Sequence, residues 1–187
     1  MGIDISKGQR VDLTKTNPGL NDVMVGLGWD VDESGNSAFD LDALAFLLDA
    51  NGKASDKDVV YFNNLKHASG AVIHQGDNLT GEGDGDDEQI EIILNKVPES
   101  IQRIAIGVAI YQAESRRQNF GLVQNAFVRL VDNSNGNELI RYDLSEDYST
   151  ETAVFMGELY RHNGEWKFTA KGEGINGGLN GLVSRFN

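Results

Sequence analysis

The spacing of apolar residues is the feature that most limits what this chain can fold into. Apolar residues recur mostly at every second position, in short runs separated by clusters of Gly, Asn and Asp. In one such run, Ile140, Tyr142 and Leu144 alternate with charged residues, which is typical of a half-buried strand. The pattern predicts a mainly β protein with strands at residues 9–13, 22–29, 41–48, 59–63, 89–94, 103–111, 126–131, 138–144, 153–161 and 165–170.

The connections between these runs indicate how the strands are arranged. Asn135-Gly136 and Asn163-Gly164 predict tight hairpins, because Asn-Gly readily adopts the positive φ angles of such turns. Short helices are predicted at residues 112–119 and 181–186, and the glycine-rich run at 172–182 is interpreted as a closing loop. We therefore expect an all-β fold, a β-sandwich of two packed sheets with one or two short helices, and a single domain over residues 1–187.

Composition excludes several classes of function. The chain has 16 Lys and Arg against 29 Asp and Glu, a formal net charge of -13, which disfavours binding to nucleic acid or to anionic lipid. It has no Cys, so disulfides and thiolate metal sites are excluded. No window is apolar enough for a signal peptide or a transmembrane span, and we expect a cytoplasmic protein.

The stretch GDNLTGEGDGDDE, residues 76–88, carries six acidic side chains and four glycines and has no Lys or Arg. Carboxylates packed this closely repel one another, so the stretch is either a solvated loop or a loop whose side chains converge on a cation. The glycines favour convergence, because they let the backbone turn sharply and direct oxygens inward. The flanking predicted strands point the same way.

The ligand chemistry selects the ion. Oxygen donors without His or Cys suit hard cations, and flexible multi-carboxylate geometry suits calcium better than magnesium. A second acidic group, FDLDA at residues 39–43, places Asp40 and Asp42 on one face if that segment is extended. Neither the acidic stretch nor the segment that begins at Asp30, which has Leu41 where the template requires Glu, fits the EF-hand template, so a calcium site must be built from loops between strands.

These motifs resemble the TerD-type tellurium-resistance and general stress proteins of bacteria. GDNLTGEGDGDDE is similar to the family signature almost residue for residue. The segments VGLGWD, FDLDA, YFNN, RRQNFG, RLV, RYDLSED and GELYRHNGEWKF also resemble the family in content and order, and the resemblance covers nearly the whole chain.

The resemblance implies a compact β-sandwich that binds more than one calcium ion through loops at one end. Gly81 and Gly83 would act as carbonyl donors or turn formers, and Asp30 as an outer ligand. The full set of metal-site candidates is Asp40, Asp42, Asp77, Asn78, Gly81, Gly83, Asp84, Asp86, Asp87 and Glu88.

The implied function is a metal-dependent binding module of the stress response, not an enzyme, with protein partners among related stress proteins. Without Cys the chain cannot reduce tellurite with its own thiols, so any resistance is indirect. Two alternatives remain open: a metal-assisted hydrolase built on the same carboxylates, and an interaction scaffold in which calcium only stabilises the fold.

Five further residues carry expectations that a structure can check. His67 and His74 are expected to be satisfied strand or loop positions rather than ligands, and His162 is expected to be exposed. Arg116 and Arg117 either pair with local carboxylates on a helix face or contact an anion or a partner.

Overall fold

A computed structural model describes residues 2–30, 39–76, 85–144 and 148–187. Within them the chain forms twelve strands and two α-helices. The strands are β1 (Ile3–Asp4), β2 (Arg10–Asp12), β3 (Asp22–Asp30), β4 (Leu41–Leu48), β5 (Val59–Val60), β6 (Val72–His74), β7 (Glu88–Ile93), β8 (Arg103–Ile110), β9 (Gln124–Asp132), β10 (Asn137–Asp143), β11 (Ala153–His162) and β12 (Glu165–Ile175). The helices are α1 (Ala113–Arg116) and α2 (Gly178–Phe186).

The strands form two six-stranded sheets. Sheet A has the order β1-β10-β9-β3-β7-β6, and sheet B the order β2-β12-β11-β8-β4-β5. Neighbouring strands are antiparallel except for β1 and β10, which are parallel. The two sheets pack on one apolar core, which confirms the predicted all-β sandwich.

The two faces of each strand explain the burial pattern. In β7 the residues Glu88, Ile90 and Ile92 are buried while the residues between them are half-buried, as alternation requires. Strand β4 is buried at every position because both of its faces are covered. Its inward residues join the core between the sheets, while Leu44 and Phe46 pack under α2 on the outer face of sheet B.

Most predicted strands match observed strands to within a few residues. The predicted strand at 59–63 is wrong beyond Val60, because Tyr61 and Asn64 form a turn closed by backbone hydrogen bonds. The strands β1 and β6 were not predicted, since two or three residues are too short to show an alternation.

The two Asn-Gly turns differ. Asn163 and Gly164 have φ angles of 53° and 77° and form the expected two-residue turn between β11 and β12. Asn135-Gly136 lies in the predicted hairpin between β9 and β10, but the connection is the four-residue loop 133–136 and not a two-residue turn. The carboxylate of Asp132 organises that loop by accepting hydrogen bonds from Ser134 and Asn135.

The helices differ from their predicted bounds. α1 has only four residues, because Gln112 and Arg117 at its two ends adopt positive φ angles of 51° and 54°. The interpretation of residues 172–182 as a loop is wrong, since β12 continues to Ile175 and α2 begins at Gly178. α2 lies against sheet B, where Leu182 packs over Gly107 and Phe186 stacks on Phe46 with ring centroids 4.8 Å apart.

Candidate metal-binding site

One end of the sandwich, hereafter the acidic end, collects the candidate metal ligands that the structure describes. Strand β3 ends there at Asp30, β7 begins beside it at Glu88, and β4 begins there in the facing sheet at Leu41. The backbone N–H of Asp87 donates to the carbonyl of Leu27 at 2.7 Å and joins the start of β7 to β3. The described candidates at this end are Asp40, Asp42, Asp86, Asp87 and Glu88.

The other five candidates, Asp77, Asn78, Gly81, Gly83 and Asp84, lie outside the described residues. The described residues that border them do lie at the acidic end. Gln75 donates from its backbone N–H to the carbonyl of Gln89 at 2.9 Å, so the chain leaves β6 next to the start of β7.

Glu88 lies in the interior between the sheets. Its Oε2 atom accepts a hydrogen bond of 2.6 Å from the backbone N–H of Ala43, so the carboxylate links β7 of sheet A to β4 of sheet B. The Nε2 atom of His74 is 3.5 Å from the same oxygen, and both side chains have no exposed surface. Glu88 is therefore a carboxylate that connects the two sheets at the acidic end.

His74 is the site residue that sequence reasoning missed. Its Nδ1 atom accepts a 3.2 Å hydrogen bond from the backbone N–H of Gly76, so the ring proton is assigned to Nε2, which faces Glu88. The sequence predicts a satisfied strand or loop position rather than a ligand, and the structure places His74 in β6, with its ring beside the carboxylate of Glu88. No sequence signal singles it out, because β6 has only three residues.

Asp87 is the half-buried carboxylate of the group. Its Oδ2 atom accepts a 2.9 Å hydrogen bond from the backbone N–H of Trp29. Burial raises the pKa of Asp87, and the neighbouring charges of Asp86 and Asp30 raise it further against the opposing effect of the Trp29 hydrogen bond. In the absence of a cation, the ionised form of the Asp87 carboxylate is thus destabilised relative to its neutral form.

Asp86 is bound by a cation of the protein itself. Arg129 donates from Nε to Oδ1 at 2.7 Å and from Nη2 to Oδ2 at 3.1 Å, a bidentate pair, and Gln89 donates to Oδ2 at 3.0 Å. The Asp86 side chain is only 1% exposed. It lies against Gly26 of β3, where a Cβ atom would collide with the carboxylate.

Asp40 and Asp42 are buried at the start of β4. The backbone carbonyl of Asp40 accepts a hydrogen bond of 2.7 Å from Tyr111 N–H. Asp42 pairs with Ala109 of β8, which packs with Leu44 on the outer, α2-covered face of sheet B. By the alternation of β4, Asp42 therefore points away from the inter-sheet space that Glu88 occupies.

The structure therefore brings the described candidates to one end but divides them among three surfaces. Asp86 lies on the outer face of sheet A, Glu88 in the interior and Asp42 on the outer face of sheet B. Among residues 2–30, 39–76, 85–144 and 148–187, no three His, Asp or Glu side chains are grouped closely enough to hold a metal ion. Asp30, the expected outer ligand, is exposed and accepts a hydrogen bond from Asn125.

The remaining expectations concern two histidines and an arginine. His67 is a satisfied position, as expected, with Nδ1 2.7 Å from Ser69 Oγ and Nε2 3.1 Å from Asp58 Oδ1. His162 is exposed, as expected. Arg116 lies over the ring of Tyr111, with its guanidinium carbon 5.4 Å from the ring centroid.

The fold and the acidic end define a β-sandwich protein with loop-borne carboxylates, and comparison with known proteins gives its family. The TerD domain profile matches residues 1–186, and the chain belongs to this family of tellurium-resistance and general stress proteins. No helix of the described residues has the length and apolar character that crossing a membrane requires.

Individual relatives agree with this assignment. The chain is 58% identical to general stress protein 16U of Bacillus subtilis over 181 residues, 96% of this chain and 94% of that protein. It is 54% identical to the tellurium resistance protein TerD of an Alcaligenes species over 187 residues, 100% of this chain and 97% of that protein. The crystal structure of a homologue of TerD from Streptomyces coelicolor matches with a TM-score of 0.75 and 25% identity over 88% of this chain and 96% of that one.

The Arg129–Asp86 pair gives the first prediction. Arg129→Met leaves the buried Asp86 carboxylate without its cation and should lower the free energy of unfolding by about 2–4 kcal/mol. Arg103→Met is the matched control, because Arg103 is 53% exposed beside Glu158 and its loss should cost less than about 1 kcal/mol. Urea unfolding of Arg129→Met, Asp86→Asn and the double variant measures the coupling. If the two single losses simply add up in the double variant, the pair does not anchor the acidic end.

The raised pKa of Asp87 gives the second prediction. The pKa of Asp87 is higher in the folded protein than in the unfolded chain, so ionisation of this carboxyl lowers the stability of the metal-free fold. The loss begins as pH rises through the unfolded pKa and is complete above the folded pKa. Asp87→Asn should therefore raise the free energy of unfolding at neutral pH, and the gain should vanish below about pH 3.9. Urea unfolding in chelator across this pH range tests it. A loss of stability at neutral pH would contradict the assigned repulsion.

Proposed function

We propose that this protein is a calcium-binding module of the bacterial stress response whose acidic end holds the metal. The observation that carries the proposal is the set of carboxylates at the ends of β3, β4 and β7, of which Asp87 is partly desolvated and held among like charges. A bound cation would offset that repulsion. Apart from the neighbouring imidazole of His74, the donors are oxygens, which suits calcium.

The proposed ligands are one leading residue and several residues that would complete the coordination. Asp87 is the leading described ligand, because burial and the neighbouring charges of Asp86 and Asp30 disfavour its ionised form, and a bound cation would offset that cost. Asp40 and Glu88 would contribute from β4 and β7, with Asp77, Asn78 and Asp84 and the carbonyls of Gly81 and Gly83 completing the coordination.

Asp86 has a different proposed role. Both of its oxygens accept from Arg129, so it would fix the position of its neighbour Asp87 and not contact the ion itself. Asp42 would reach an ion only from the outer face of sheet B. More than one ion is proposed, because the candidates lie on separate surfaces of the acidic end.

Several features support binding over catalysis. A metal-assisted hydrolase needs a general base within reach of substrate. The histidine at the acidic end, His74, has a fully buried side chain and faces Glu88. The absence of Cys from the sequence makes an indirect contribution to tellurium resistance the simpler proposal. We accordingly propose a cytoplasmic protein that acts through partners among related stress proteins.

Calorimetric titration of the chelator-treated protein tests the calcium proposal. We expect saturable calcium binding, tighter than about 1 mM, that persists in excess magnesium and shows more than one site. Asp87→Asn should weaken at least one site by tenfold or more, about 1.4 kcal/mol. Asp86→Asn should weaken the same site through misplacement of Asp87.

Glu99→Gln is the matched control, because it removes one charge at an exposed position outside the acidic end. It should leave calcium affinity within about twofold, as expected for a screened distant charge. Absence of calcium heat, with no calcium-dependent shift in thermal unfolding, would contradict the proposal. If Glu99→Gln and Asp87→Asn weaken calcium binding equally, the loss of affinity comes from the net charge of the protein and not from a site at Asp87.

A further inference from the structure

A cleft of about 770 Å³ opens on the outer face of sheet B, apart from the inter-sheet carboxylate of Glu88. One side is formed by the start of α2 and the other by Tyr61 and Phe62. The segment Tyr111–Ser115, at the end of β8, closes a third side. A second cavity of about 300 Å³ shares Tyr61, Leu179 and Asn180 with the cleft, so the two form one continuous groove along α2. Such volumes are in the range of small-molecule sites.

The charged groups of the groove are all acidic. Asp42 lines the cleft from β4 and is 3% exposed, Glu114 lines it from α1, and Asp56 lines the adjoining cavity. No Lys, Arg or His is among the described residues that line either cavity. In a chain of net charge -13, this groove has a field that concentrates cations.

The walls between these acids are aromatic and aliphatic. Phe62 contacts Tyr61 edge-on with centroids 5.1 Å apart, and it contacts Tyr111 edge-on at 5.9 Å. Leu179 and Val183 of α2 continue the apolar wall into the second cavity. The cleft with Asp42 and Glu114 and the cavity with Asp56 thus share the apolar side chains of Tyr61 and Leu179.

A cation already occupies the edge of this aromatic cluster. The guanidinium of Arg116 lies 5.4 Å from the centroid of Tyr111, a cation–π distance. At the start of α2, which also lines the cleft, the Gly178 N–H donates to Thr152 Oγ1 at 2.9 Å. The Tyr111 ring therefore lies in a setting that accepts positive charge.

Taken together, the geometry points to a linear aliphatic polyamine as the ligand of this groove. Ammonium groups separated by methylene chains match carboxylates separated by apolar walls: the charges would bind Asp42, Glu114 and Asp56, and the methylenes would pack on the aromatic cluster and on α2. This is a site separate from the proposed calcium function, although Asp42 is a candidate for both.

Calorimetric titration with spermidine, in chelator and again in saturating calcium, tests this inference. To keep the calcium candidates out of the comparison, the variants are Glu114→Gln with Asp56→Asn, and Phe62→Leu alone. We expect saturable one-to-one binding that weakens by about tenfold in the double variant and by about threefold in Phe62→Leu. Each variant is first checked by thermal unfolding.

The control must separate the groove from the acidity of the whole chain. Glu99→Gln with Glu165→Gln removes the same two charges at positions that do not line the groove, and it should change affinity by less than about twofold. Equal weakening by the control and the groove variants would overturn the inference. So would spermidine binding that is lost in Asp87→Asn but kept in the groove variants, because the amine would then bind the acidic end.

A lysine-rich peptide distinguishes a small molecule from a protein side chain. Acetylated trilysine amide carries the same charge as spermidine on a bulkier backbone. We expect it to bind at least about tenfold more weakly than spermidine, because α2 and the aromatic cluster line the sides of the groove and a bulkier backbone fits less well between them. Tighter binding of the peptide, with loss in the groove variants, would overturn the small-molecule assignment.

Discussion

Repulsion among carboxylates at one end of the sandwich is the constraint to which the rest of the site responds. Asp30, Asp86 and Asp87 lie where β3 ends and β7 begins, and the charges of Asp86 and Asp30 add to burial in raising the pKa of Asp87. The protein offsets part of this cost internally, through Arg129 on Asp86 and the backbone N–H groups of Trp29 and Ala43 on Asp87 and Glu88. Asp87 keeps a raised pKa, and that residual cost is what a bound cation would relieve.

The pleat of the strands then decides which carboxylates can act together. Glu88 faces the interior and Asp42 faces α2, although the backbone of the residue after Asp42 is bonded directly to Glu88. Of the described residues at the acidic end, Glu88 thus belongs to the space between the sheets, whereas Asp42 lines the groove beside Tyr111.

The parts of this structure that sequence could predict are those governed by local spacing. Alternation located the long strands, and Asn163-Gly164 located a tight turn. Contacts that depend on pairing were not accessible: His74 meets Glu88 only because β6 pairs with β7, and Arg129 meets Asp86 because β3 holds β9 and β7 on either side. The face of the sheet to which Asp42 points could not be predicted either, since β4 is apolar on both sides and shows no alternation.

Terbium luminescence can show whether the acidic end binds a calcium-like ion, because terbium replaces calcium at oxygen sites and is sensitised by a nearby tryptophan. Trp29 donates its backbone N–H to Asp87, whereas Trp166 lies beside the 163–164 turn that joins β11 to β12. With excitation where only tryptophan absorbs, an ion bound beside Asp87 should give terbium emission, and added calcium should abolish this emission by displacing terbium. The emission should be lost in Trp29→Phe and kept in Trp166→Phe. Emission that survives in Trp29→Phe and disappears in Trp166→Phe would place the ion near Trp166 and contradict a metal site at the acidic end.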